Sequence, residues 1–75
     1  MNPTEIELAA ALRERLAIIA DESSRRDPDR HLERLQTVSE KITALGKILP
    51  RPVDPELAHF LARCSYDKAL ALLER

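Results

Sequence analysis

The sequence predicts an all-α fold, and three observations carry that expectation. Strong helix formers (Ala, Leu, Glu, Arg) dominate a chain of 75 residues that has one glycine and only Phe60 and Tyr66 as aromatics. No stretch sustains the period-2 alternation of a half-buried strand, and no Asn-Gly or Asp-Gly pair marks a β-hairpin. Three Asx-Pro pairs, Asn2-Pro3, Asp27-Pro28 and Asp54-Pro55, are placed as helix starts. There the Asx oxygen accepts a first-turn backbone N–H, and proline's missing donor costs nothing.

The first helix is expected from Pro3 or Thr4 to a point between Asp21 and Arg26. Asn2 is one candidate cap; Thr4 is the other, with Glu7 at capping-box spacing. Leu8, Leu12, Leu16 and Ile19 share a stripe, with Ala9 and Ala20 on one flank and Ala11 and Ile18 on the other. That stripe is wider than one partner helix needs. Glu7, Glu14 and Asp21 fall opposite. Asp21 to Arg25 and Glu22 to Arg26 are acid-first i,i+4 pairs, which favours continuing the helix beyond Ala20.

The second helix, Pro28 to Ile48, has the cleanest pattern. His31, Leu35, Val38, Ile42, Leu45 and Leu49 recur at alternating steps of four and three, a heptad seam with Leu32, Ser39 and Gly46 beside it. Small residues at 39 and 46 admit a close neighbour. Gly46 is read as helical because the seam reaches Leu49, with a C-cap at Gly46 as the alternative. The two helices are not one rod: their apolar stripes are out of phase by more than about 100°. Pro28 also disfavours helical geometry at Asp27, so a turn and an antiparallel helical hairpin are expected.

A proline-rich connector, residues 50–54, ends the second helix. In the tail, Leu57, Phe60, Leu61 and Cys64 form one face and Tyr66, Leu70 and Leu73 another, about half a turn away. Ser65 sits at the change as a cap, so two short helices at an angle are expected over 55–75. The whole is one domain, 1–75: a hairpin over 3–49, the connector and the short pair. A core of this size supplies only about 3–5 kcal/mol. No disulfide is available to a chain with one cysteine. Association is therefore expected, as a four-helix-bundle-like homodimer. Its candidate interface comprises Leu8, Leu12, Ile18 and Ile19 of the first helix, Leu35, Val38, Ile42 and Leu45 of the second, and Tyr66.

The formal net charge is −1 with both signs interspersed, so no global field favours nucleic acid or an anionic membrane. No run approaches a membrane span, and the N-terminus lacks signal-peptide character. A cytoplasmic location is the expectation, in agreement with the unpaired Cys64.

Each candidate site has a plainer reading that the pattern prefers. Cys64 lacks an activating partner, because His59 is about 140° away around the helix, and it reads as a packed core thiol on a different stripe from Tyr66. Neither His31 nor His59 has a helical His or Cys partner, so no metal ligand set is expected. His31, at a seam position near a helix start, reads as packing at a bundle end or interface, where it would make association pH-sensitive. Tyr66 reads as first-turn packing against Leu70, with a subunit-contact anchor as the alternative. Arg25, Arg26 and Arg30 form a basic cluster, but Asp21, Glu22, Asp27 and Asp29 surround it. The last segment resembles a helix-turn-helix in outline, yet its final helix has no Asn or Gln for base edges.

No phosphate loop, nucleophile elbow or cofactor motif is present. The leading expectation is a non-enzymatic protein-interaction or scaffold module acting through oligomerisation. A small regulatory nucleic-acid binder using the helix-turn-helix-like tail or the Arg25/Arg26/Arg30 cluster is the alternative.

Overall fold

Asn2 begins the first helix by accepting the Glu5 N–H at 2.8 Å, while its own amide donates to the Glu5 carboxylate at 2.9 Å. In the computed structural model, which describes residues 2–75, five helices follow: α1 (Pro3–Ala20), α2 (Glu22–Arg25), α3 (Pro28–Lys47), α4 (Pro55–Ala62) and α5 (Tyr66–Leu73). Among the described residues there is no strand. The expected Asp-Pro starts are seen at α3 and α4, where Asp27 accepts from the Arg30 N–H and Asp54 from the Glu56 N–H.

The first helix stops sooner than its i,i+4 charge pairs suggest. Asp21 leaves helical geometry (φ −80°, ψ 101°) and accepts from the N–H groups of Ser23 and Ser24, starting the single turn α2. Two orphan amide donors gained by one carboxylate outweigh exposed ion pairs worth a few tenths of a kcal/mol. Those pairs do not form: Asp21 meets Arg34 at 3.4 Å, and Arg25 donates to the Ile19 carbonyl.

α3 runs through Gly46 to Lys47, with Ile48 as its C-cap, so Gly46 is helical rather than a cap. A Cβ there would lie 3.7 Å from Leu61 Cδ1, an ordinary contact, so the neighbour at Gly46 is a side chain of α4. The connector carries a cis Arg51–Pro52 peptide and returns Leu49 and Val53 to the core.

α1 packs mainly on α3; α5 packs on α1 and α4; α4 rests on α3; α2 lies on α3. Leu8, Leu12 and Ile42 are the most deeply buried large side chains, surrounded by Ile18, Val38, Leu45, Leu57 and Leu70. Burying a side chain of this kind contributes about 1.5–3 kcal/mol. Ala9, Ala11 and Ala69 are also buried, and their small size admits close helix approach.

The α4–α5 junction departs from the expected cap. Ser65 occupies the N-cap position, but its side chain makes no capping hydrogen bond. The turn is held from the other side: the Ser65 N–H donates to the Phe60 carbonyl at 2.8 Å and the Cys64 N–H to the Leu61 carbonyl at 3.1 Å. These two bonds are a Schellman motif that ends α4, and Cys64 takes its left-handed position at φ 56°.

Candidate functional site

The chain leaves two apolar surfaces open. At about 1.5 Å per residue, the eight-residue helices α4 and α5 each reach about 12 Å, whereas α1 and α3 reach about 27 and 30 Å. The short pair therefore covers only part of the α1–α3 layer.

The first open surface lies at the α2 end. Leu32, Ser39 and Gly46 fall within about 40° of one another on α3. Gly46 is met by Leu61, Ser39 is half-buried, and Leu32, about 21 Å from Gly46 along the axis, is 57% exposed. α1 shows the same gradient: Ala9 is 3% exposed and Leu16, on nearly the same line, 38%. Ile19 and Leu35 are half-buried. Leu16 belongs to the apolar stripe of α1 but is not covered.

The second surface is a groove of about 880 Å³ between α3, the connector, α4 and the start of α5. Ile42, Leu49, Val53 and Leu61 supply aliphatic wall, Thr43 and Tyr66 supply hydroxyls, and Lys47 and Arg51 supply positive charge. Thr43 is committed to its own helix, donating to the Ser39 carbonyl at 3.0 Å.

Tyr66 and Cys64 correct the helical-phase argument. Cys64 is exposed rather than packed in the core, because α4 ends at Ala62 and the left-handed turn takes residue 64 off the stripe of Leu57 and Leu61. The same turn brings the two side chains together, the Tyr66 hydroxyl donating to Cys64 Sγ at 3.7 Å. The Arg15 guanidinium lies 4.8 Å from the Tyr66 ring centroid, a cation–π contact. Burial, followed by the Cys64 hydrogen bond, pushes the Tyr66 phenol above its ordinary range, so it stays protonated.

Of the candidate interface residues, Leu8, Leu12, Ile18, Val38, Ile42 and Leu45 belong to the chain's own core, and Leu35 and Tyr66 pack at its edge. Ile19 is half-buried. His31 does sit at a bundle end, with Nδ1 3.1 Å from Oγ of the buried Ser24, which also accepts from Arg34 at 3.0 Å. Arg34 escaped the sequence reading because its partners, Asp21 and Ser24, lie in another helix or its cap; local spacing rules cannot find such pairs. The basic cluster does not converge: Arg25 is turned onto the Ile19 carbonyl, while Arg26 and Arg30 are exposed.

His59 is exposed beside Phe60, with ring centroids 6.0 Å apart. Among the described residues no group of three or more His, Cys, Asp or Glu is placed to hold a metal ion. No described helix is long and apolar enough to cross a membrane. No protein-family model, curated protein or solved structure matches the chain.

Proposed function

We propose that this chain is a small, non-enzymatic helical interaction module that works by pairing with a second copy of itself. In this reading α1 and α3 form an antiparallel hairpin, which is supported by the Asp21–Arg34 contact and by the packing of α2 on α3. The observation that carries the pairing is the uncovered apolar surface of Leu16, Ile19, Leu32 and Leu35 at the α2 end. A hairpin from a second copy, laid across that surface, completes a four-helix layer that α4 and α5 are too short to complete.

A second copy suits the surface because an isologous contact buries the same apolar face on both partners at once. The interface is correspondingly shifted from the central seam to the half of it nearest α2. Sedimentation at micromolar concentration is expected to give a dimer. Leu32→Glu, which places an unpaired charge in the contact at an exposed position outside the core, is expected to give a folded monomer. A wild-type chain that sediments as a folded monomer throughout that range would exclude the pairing.

A further inference from the structure

We infer that the groove between α3, the connector and α4 is a binding site for an aliphatic carboxylate, a molecule with a single acidic head and an extended apolar tail. Its volume of about 880 Å³ falls within the roughly 300–1,000 Å³ of small-molecule pockets. The chemistry of its wall then selects the ligand. Ile42, Leu49, Val53 and Leu61 present hydrocarbon, and no aspartate or glutamate lines the groove.

Lys47 and Arg51 both line it, and neither has an ion-pair partner among the described residues. Two unpaired cations beside a hydrocarbon wall favour an anion attached to an apolar body. Their methylene stems extend that wall while their charged ends stay in water. A carboxylate between them gains charge-assisted hydrogen bonds. The Tyr66 ring also lines the groove, and its hydroxyl is occupied by Cys64. The Thr43 hydroxyl is likewise bonded to its own helix. The groove thus offers its strongest polar recognition at Lys47 and Arg51.

The site is separate from the Leu16–Leu32 surface, and neither depends on the other. The test is titration of the full chain with decanoate below its micellar concentration, followed by backbone amide NMR. Decyltrimethylammonium, which has the same tail and the opposite charge, serves as the comparison. Saturable decanoate shifts are expected at Gly46, Ala58 and Ala62, with weaker binding of the cation. The exposed double variant Lys47→Glu/Arg51→Glu is expected to weaken decanoate binding by about tenfold or more, equivalent to about 1.4 kcal/mol or more. The double variant should also reverse the charge preference and leave sedimentation unchanged.

Ala58→Trp, which fills the groove from an exposed position, is expected to weaken both ligands. Equal binding of the two surfactants to the wild type, decanoate binding that is indifferent to the double variant, or shifts centred on Leu16 and Leu32 would each overturn the assignment. So would displacement of decanoate by an acidic amphipathic peptide at a tenth of the decanoate concentration, which would make the groove a peptide site.

Discussion

At Cys64 the backbone enters the left-handed region, φ 56°, in a motif where glycine is the usual occupant. A residue with a Cβ is disfavoured there by about 1–2 kcal/mol. Part of that gain is offset in the Gly variant by the greater freedom of the unfolded chain. Cys64→Gly is therefore expected to raise unfolding stability by about 0.5–1 kcal/mol, read from the midpoint of a urea titration at unchanged slope. The same substitution removes the Tyr66 hydroxyl's partner, so the Tyr66 phenol should titrate closer to its ordinary range in ultraviolet difference spectra.

Asp21 is the other residue whose local geometry organises its surroundings. The hydrogen bond from the Ser24 N–H, opposed by partial burial and reinforced by Arg34 and the Ser23 N–H, holds its carboxyl below the ordinary aspartate range. A depressed folded-state pKa means that the ionised form is the one that stabilises the fold. That contribution is complete above the unfolded-state pKa and is lost as pH falls through the lower, folded-state value. The protection of the Ser23 and Ser24 amides, their exchange rate relative to that of an unstructured chain at the same pH, should accordingly persist at neutral pH and fall in that acidic window. In Asp21→Asn this pH dependence should be absent.

Among the elements, α3 carries the sharpest contrast between two chemically similar positions. Ile42 is 2% exposed and Ile48 64%. Ile42→Asp buries an unpaired carboxylate in the core and is expected to unfold the domain, seen as loss of helical circular dichroism at neutral pH. Ile48→Asp is expected to change stability by less than about 0.5 kcal/mol. The seam was legible from sequence because its heptad spacing persists from His31 to Leu49. The exact end of α1 was not, because a cap at Asp21 and i,i+4 pairs across it draw on the same carboxylate. The short helices α4 and α5 were recognisable from Asp54-Pro55 and from the change of apolar face near Ser65. How they join was hidden, since a left-handed cysteine breaks the phase on which face assignments rest.

For the whole molecule the controlling quantity is the mismatch between long and short helices. The folded chain measures 41 × 22 × 21 Å, and helices of about 12 Å cannot cover a layer about 30 Å long. If two copies pair through the uncovered end, as proposed, folding and association are linked equilibria. The thermal midpoint should then rise with protein concentration, as it does for any system stabilised by binding in the folded state. Differential scanning calorimetry over a hundredfold concentration range checks this, with a constant midpoint in Leu32→Glu as the expected contrast. The ion pair Arg13–Glu74, at 3.3 Å with both side chains about half exposed, contributes at most about 1 kcal/mol to holding α5 against α1.

The helical class, the three Asx-Pro starts and the α3 seam are determined by the sequence itself, because each depends on residues within a turn or a heptad of one another. Three features were decided only by tertiary structure. Leu16 and Leu32 are left uncovered, the groove at Lys47 and Arg51 is open, and Cys64 is outside the core touching Tyr66. Each depends on where one helix ends relative to another. Helical periodicity assigns a residue to a face, but only the packed arrangement determines how far along that face a short neighbour can reach.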